Sequence, residues 1–443
     1  MLADLLAGWF MWVRVLTMLQ RRVLALVVGA QLAGVVSCTR LKPDDPPESF
    51  VEGGVSDGGV VDASNDVDAA GRDDVSDVPT IWNPLGDGTV RHEAHAPFAL
   101  LASTPHRLDI FVATANGALF GARVDEGVVP GSVAFEPILP VGSLSPGHRI
   151  SAISSIEEGM TLFWVKEGTV MSAYIDPREA LPRWSSPFAL SLVGEAHELG
   201  NVVGVTPVPG GASIFWPGPD GTLRSSYYDP WTADPRWVPS FPLSSPRSVA
   251  IPLLAATTFP SGAPLVAYTT PSGAVRAARF DLDTNHPVWL PATTVTPNGA
   301  VVTGSDLGLV STGAGQARLA CVGHSGDLRV ASFSTRAAWS GWSEPTTIVP
   351  AGAAKPGGTV AGVIEGPAVH WFYETPDNSI ARVVERLEDD SSVDHSTGVR
   401  RLAGSRRRRP DTGFAVARRP SGISVLVVGA DGWLQLGSPA PEP

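Results

Sequence analysis

The chain has 443 residues, of which 43% are hydrophobic and 17% charged, and its net charge is −12. This composition is typical of a globular protein and excludes a wholly disordered chain. The high content of glycine (47) and proline (40) favours many short strands joined by turns over long helices.

Residues 1–37 are predicted to be a signal peptide, and Met18 is the more natural start of that signal. Two arginines precede a 15-residue apolar run, 23–37, which is shorter than the roughly 20 residues that a membrane-spanning helix needs. The run ends in Val-Val-Ser before Cys38, a pattern that resembles the bacterial lipobox. That resemblance implies that Cys38 is diacylated and anchors the chain in the bacterial envelope, on the periplasmic side or at the cell surface. The alternative is an ordinary membrane anchor with a chance cysteine.

Residues 38–78 are predicted to be a solvated, disordered tether behind the lipidated cysteine. Segment 43–78 holds eleven acidic residues and one arginine, and such a run cannot bury an apolar core. Calcium binding at Asp62, Asp66 and Asp68 is an alternative, but the glycine and terminal glutamate of an EF-hand loop are not at their usual spacing. We therefore expect no metal ion and no cofactor.

Residues 79–443 contain seven copies of one pattern, in which an apolar strand, a tight turn and a second apolar strand follow one another. A glycine or asparagine marks each turn, at Gly117, Gly168, Gly221, Gly273, Gly326, Asn378 and Gly432. The spacings between these markers are 51, 53, 52, 53, 52 and 54 residues. Glycine and asparagine are the residues that a tight hairpin needs where φ is positive.

Each repeat holds four predicted strands, which we name a to d in chain order. Four-stranded units of about 50 residues, repeated seven times, predict an all-β, seven-bladed β-propeller; a solenoid is the alternative, but it would need atypical capping repeats. The last repeat stops after strand c, and strand 79–86, which carries Trp82, has no repeat of its own. We expect this strand to become strand d of the last blade and to close the ring.

Only two cysteines are present, so with Cys38 lipidated no disulfide is expected. Cys321 falls in a predicted buried strand, where it is expected to behave as an inert apolar side chain.

Residues 318–342 resemble a blade of the fucose-binding lectin propellers and of their seven-bladed bacterial lectin relatives. In those lectins an arginine opens strand b, a glutamate follows the turn on strand c, and an aromatic side chain packs on the sugar. Arg318 matches the arginine, whereas Val330 stands at the glutamate position, and no repeat holds both residues. The resemblance implies a non-catalytic, glycan-binding propeller.

Three arginines occupy one column, three residues after the turn marker in consecutive repeats: Arg224, Arg276 and Arg329. Arginines between blades can bind sugar hydroxyls or carboxylates through several donors at once. The alternative is that each arginine packs its stem on a neighbouring blade and pairs with an acid.

Two tryptophans, Trp231 and Trp433, stand in loops where the other repeats have small or polar residues. An exposed tryptophan can stack on a sugar or a partner, and a cap on a blade edge is the alternative.

The basic insertion at 405–409, with four consecutive arginines from Arg406 to Arg409, could contact phosphate-bearing lipids or anionic glycans. Otherwise it is a solvated, partly paired loop.

No nucleotide-binding or nucleophile motif is present, and no convergent carboxylate pair can be identified, so an enzyme is not favoured. Export and the acidic balance argue against a nucleic-acid partner. The sequence therefore predicts a monomeric envelope lipoprotein that binds glycan. A protein-interaction scaffold is the second possibility, and a glycoside-active propeller is the third.

Overall fold

The computed structural model describes residues 77–86, 98–128, 130–145, 149–156, 159–179, 183–230, 235–250, 253–282, 287–335, 341–387, 397–405, 408–409 and 412–440. The predicted signal peptide, Cys38 and residues 39–76 of the predicted tether lie outside this part. Within the described residues no helix is long and apolar enough to cross a membrane. A short 3-10 turn, Pro130–Ser132, accompanies the strands.

Seven antiparallel sheets form the blades of a β-propeller, which confirms the predicted fold class. The first strands of the chain are β1 (Asp77–Val78) and β2 (Thr80–Pro84). Blades 1 to 3 consist of β3 (Phe98–Thr104), β4 (Arg107–Ala113), β5 (Leu119–Asp125) and β6 (Glu136–Leu139); β7 (Ser151–Ile156), β8 (Gly159–Lys166), β9 (Thr169–Ile175) and β10 (Phe188–Ala189); and β11 (Val203–Val205), β12 (Ala212–Pro217), β13 (Leu223–Tyr228) and β14 (Phe241–Pro242).

Blades 4 to 7 continue the same order. They consist of β15 (Leu254–Thr258), β16 (Pro264–Thr269), β17 (Val275–Asp281), β18 (Val288–Trp289) and β19 (Thr293–Thr294); β20 (Leu307–Gly313), β21 (Gln316–Val322), β22 (Leu328–Ser334), β23 (Gly341–Trp342) and β24 (Thr346–Val349); β25 (Val360–Glu365), β26 (Ala368–Glu374), β27 (Ile380–Arg386) and β28 (Thr397–Leu402); and β29 (Ala415–Arg419), β30 (Gly422–Val428) and β31 (Leu434–Pro439).

The ring closes as the sequence predicts, because β2 pairs antiparallel with β31 and supplies the outer strand of blade 7. Trp82 of β2 donates its indole N–H to the carbonyl of Ala403, at 2.6 Å, in the loop that follows blade 6. The described part of the chain begins two residues before the predicted propeller boundary of 79, and there β1 pairs in parallel with β28 of blade 6. The N-terminal segment therefore ties two blades together.

The core lies between adjacent blades. Each sheet is covered on both faces by its neighbours, so strand b is a continuous apolar run, and Ile214, Phe215 and Trp216 of β12 are all fully buried. Aromatic pairs reach from strand b of one blade to the tryptophan that opens strand d of the next. Phe111 meets Trp184 edge-on at 5.9 Å between ring centroids, an arrangement worth about 0.5–1.5 kcal/mol beyond the area that it buries.

The turn markers have the predicted conformation: all seven have positive φ, from 59° at Asn378 to 85° at Gly432. A second column, which the sequence analysis missed, follows each of the first six markers by 25 or 26 residues, in the loop that leads to the next blade. These residues also have positive φ, and they are Gly142, Gly194, Arg247, Gly299, Gly352 and Gly404. The loops pack on the hairpins, as where Leu144 donates its N–H to the carbonyl of Gly117 at 3.0 Å.

Cys321 is buried and unpaired, as predicted. Burial raises the pKa of its thiol to about 12, so the thiolate that would react is scarcely populated at neutral pH.

Candidate functional site

The propeller has two faces, which differ in the loops that form them. The b–c hairpins and the loops between blades lie on one face, which we call the hairpin face. The a–b turns and the c–d loops lie on the other face. The predicted arginine column is on the hairpin face, one arginine in each of blades 3, 4 and 5.

Arg224 of blade 3 is neutralised by a carboxylate from the preceding loop. Its Nη2 lies 2.8 Å from Oε1 of Glu195 and 3.2 Å from Oγ of Ser240. The Ser240 hydroxyl in turn donates to Oε2 of Glu195 at 2.8 Å. Both charged side chains are 21% exposed, so this pair stabilises the contact between the loop and the blade.

Arg329 of blade 5 is neutralised within its own hairpin, where its Nε donates to Asp327. Ser325 donates to the same carboxylate. Burial acts to raise the pKa of Asp327, but the hydrogen bonds from Ser325 and Arg329 outweigh it and the pKa is lowered. The aspartate is therefore charged at neutral pH and balances the arginine.

Arg276 of blade 4 instead lines an open pocket of about 360 Å³ at the β16–β17 hairpin. The position equivalent to Glu195 is Ser248, and the position equivalent to Asp327 is Ala274. Both acids that neutralise the neighbouring arginines are thus absent. Within the described residues, no carboxylate pairs with Arg276.

A second arginine, Arg247, lines the same pocket. It is the member of the second positive-φ column that is not glycine, with φ at 58°. This residue is exposed, and among the described residues it too has no carboxylate partner. We call this cavity the Arg247–Arg276 pocket.

Hydroxyl and amide groups complete the wall. Thr270 and Ser272 share a hydrogen bond of 2.9 Å, and Ser272 donates to Oδ1 of Asn298 at 2.8 Å. Because Asn298 accepts through Oδ1 in this series of hydrogen bonds, its amide NH2 group remains available as a donor. The pocket therefore combines two guanidinium groups with neutral polar groups and, among its lining residues, contains no acid.

A larger cavity of about 690 Å³ opens at the centre of the other face, where strands a end. Five blades contribute hydroxyl residues to its wall: Ser103, Ser154, Thr206, Thr258 and Ser311. Some of these hydroxyls bond the preceding blade, as where Thr206 donates to the carbonyl of Ser154 at 3.0 Å. The lining residues are uncharged, and we interpret the hydroxyl ring as a link between blades.

At the hairpin face the ring is spanned by an ion pair. Arg149 and Asp306 stand just before strands a of blades 2 and 5, and their two N···O distances are 2.8 and 2.9 Å. Burial lowers the pKa of Arg149, but the Asp306 carboxylate outweighs this effect and the pKa is raised. Arg149 therefore stays charged and links blades 2 and 5 through its two hydrogen bonds to Asp306.

Trp433, the predicted tryptophan that the structure describes, does not line the Arg247–Arg276 pocket. Trp433 lies half-buried on the hairpin of blade 7, where its backbone N–H donates to Asp431 at 3.1 Å. Trp231 lies outside the described residues, as do Arg406 and Arg407.

The basic insertion is neither a free phosphate-binding loop nor a solvated one at Arg408, whose side chain is 0% exposed and pairs with Glu374 at 2.5 Å. Glu374 also accepts from Lys355 Nζ at 2.9 Å. At Arg408 the side chain is therefore buried and not solvated, because Glu374 on strand b of blade 6 balances its charge.

Arg318, which matches the lectin arginine, is also engaged internally. Its Nε donates to Glu385 of blade 6 at 2.9 Å, and the other carboxylate oxygen accepts the indole N–H of Trp371 at 2.9 Å. Glu385 is 2% exposed, so this trio fastens two blades and engages Arg318 inside the protein. Within the described residues no cluster of three potential metal ligands exists.

No family model matches the sequence, and no curated protein matches it. Among solved structures, the chain is similar to the BP39L lectin from Burkholderia pseudomallei, with 18% identity, a TM-score of 0.66 and coverage of 80% of this chain and 98% of that one. AofleA from Arthrobotrys oligospora has 10% identity and a TM-score of 0.47, over 73% and 90% of the two chains. The fungal lectin from Aleuria aurantia has 12% identity and a TM-score of 0.43, over 70% and 97%. The likeness to BP39L shows that the fold is shared.

Proposed function

We propose that the propeller is a non-catalytic, glycan-binding module. The observation that carries this proposal is the Arg247–Arg276 pocket, where guanidinium, hydroxyl and amide groups from a hairpin and two loops converge on one open cavity. Sugar hydroxyls are bound by such sets of fixed donors and acceptors, and arginine supplies several donors in one plane.

Two further points support the proposal without deciding it. BP39L, which shares the fold, is named a lectin, although a shared fold does not by itself imply a shared function. The pocket volume falls within the range of small-molecule sites, roughly 300–1,000 Å³. The predicted arginines Arg224 and Arg329 have internal partners, so the proposed site is centred on Arg276.

A glycan array probed with the full chain in mild detergent tests this function. Binding to a defined set of glycans, weakened by Arg276→Gln, is the expected result. If the array stays silent while the same preparation captures an envelope protein, the glycan proposal fails and the scaffold alternative replaces it.

We also propose that the chain is an exported lipoprotein anchored through Cys38. The support is the lipobox-like sequence that ends the apolar run 23–37. Metabolic labelling with palmitate should mark the wild-type chain and not Cys38→Ser. Equal labelling of both chains would refute the anchor.

A further inference from the structure

We propose that the Arg247–Arg276 pocket binds the anionic group of an acidic sugar, a carboxylate or a sulfate carried on the ring. This inference rests on the proposed glycan-binding function and specifies its ligand. Its first support is the comparison of three equivalent positions in one molecule.

The three blades that carry the arginine column differ in where the balancing charge comes from. In blade 3 it comes from Glu195 in the preceding loop, and in blade 5 it comes from Asp327 in the hairpin. Blade 4 has Ser248 and Ala274 at those two positions. Because the arginine side chain is a cation and no described carboxylate pairs with Arg276, blade 4 offers a positive charge that an anionic ligand can balance.

Arg247 doubles this charge at the cost of backbone strain. The other described members of its column are glycines, and at φ 58° a residue with a side chain is strained relative to its preferred conformations. A strained residue beside a cavity is a recognised pointer to function. Glycine would fit this position without strain, so the guanidinium is the feature that distinguishes the residue present.

The remaining polar groups suit the rest of a sugar ring. The pocket wall offers the hydroxyls of Ser248 and Thr294 and the amide NH2 of Asn298. Planar guanidinium groups can bind a carboxylate or a sulfate through paired hydrogen bonds. We therefore place the anionic substituent against the two arginines and the ring hydroxyls against the neutral groups.

Isothermal titration of the full chain in detergent tests the proposal with pairs of probes that differ in charge. The first pair is trigalacturonate and its methyl ester, and the second is galactose 6-sulfate and galactose. Tighter binding of the charged member of either pair is expected, by about tenfold or more, because hydrogen bonds to charged groups are about twice as strong as neutral ones. The pair that shows the preference identifies the anionic group, and binding should weaken as salt rises.

Three variants localise the effect. Arg276→Gln and Arg247→Gly each remove one guanidinium, and each should weaken the charged probe by about tenfold to a hundredfold. Ser248→Glu introduces the acid that blade 3 has at Glu195, and it should abolish the preference for the charged probe. Arg386→Gln removes one exposed charge on blade 6 and is the matched control, for which unchanged affinity is expected.

Folding and binding can be separated at Arg247, because Arg247→Gly should melt at the same temperature as the wild type or higher. Equal affinity for the charged and neutral members of both pairs would overturn the acidic-sugar inference and leave the glycan proposal standing. A charged preference that survives Arg276→Gln and Ser248→Glu would also overturn it, since the site would lie elsewhere. No binding to any glycan on the array would overturn the proposed function itself.

Discussion

Replacing Arg408 with methionine should destabilise the propeller strongly, although Arg408 belongs to a run of four arginines for which the sequence suggests exposure to solvent. The side chain is fully buried and pairs with Glu374, which is 4% exposed. Its Nε also donates to the backbone carbonyl of Asn378, at 2.6 Å. Methionine fills a similar volume but supplies neither the charge nor the hydrogen bonds.

The magnitude follows from what the substitution leaves behind. Removing one partner of a buried ion pair costs about 3–5 kcal/mol, because the other charge stays buried without compensation. Glu374 keeps its second partner, Lys355, at 2.9 Å, which places the loss near the lower end, at about 3 kcal/mol. Since the entropy of unfolding scales with chain length, that loss lowers the melting temperature of a domain of this size by only about 4 °C.

Urea denaturation followed by tryptophan fluorescence and by circular dichroism measures the loss, provided that the two probes give coincident transitions. The control is Arg178→Met, because Arg178 is 75% exposed and its pair with Asp176 lies at 2.7 Å. Exposed pairs are worth about 0–1 kcal/mol. A loss for Arg408→Met no larger than that of the control would refute the buried ion pair. In the double variant with Glu374→Gln, part of the loss should be recovered, since the buried carboxylate that lost one of its two cations is then absent.

Two further predictions concern the turns. Gly117→Ala should destabilise the fold by at least about 1 kcal/mol more than Gly142→Ala. Both glycines have positive φ, but a Cβ atom at Gly117 would collide with the carbonyl oxygen of Leu144. A Cβ atom at Gly142 would have no other atom within 4 Å. Equal urea midpoints for the two variants would contradict this. Burial acts to raise the pKa of Asp377, but hydrogen bonds led by that from Thr375 lower it from 3.8 to about 2. The contribution of Asp377 to stability is therefore complete above the pKa of the unfolded state and is lost as the pH falls through 2. NMR titration should give a pKa of about 2 for Asp377 in the wild type and a higher pKa in Thr375→Val. An unchanged pKa in the variant would exclude the hydrogen bond from Thr375 as the cause.

The repeat was predictable because its signal is local. A hairpin with positive φ needs glycine or asparagine whatever packs around it, so the seven markers could be found by their spacing alone. The same argument applies to the second positive-φ column, which was missed although Gly142, Gly194 and Gly299 recur at nearly constant distances in the sequence. A search for a second glycine period would have found it and would have exposed Arg247 as the exception.

The arginine column was also visible in the sequence, but the state of each arginine was not. Glu195, which neutralises Arg224, lies 29 residues upstream of it and belongs to the loop from the preceding blade. The aspartate that neutralises Arg329 lies two residues away in the same hairpin. Sequence spacing alone gives no rule that selects one partner over the other.

The sequence by itself thus determined the seven-bladed ring and the strand that closes it, because backbone geometry and the alternation of apolar residues act over short distances along the chain. Only the tertiary structure decided which charges are balanced: it buried Arg408 against Glu374 and opened a pocket at Arg276. Electrostatic balance depends on distances in space between residues from different loops and blades, and those distances exist only once the blades have packed.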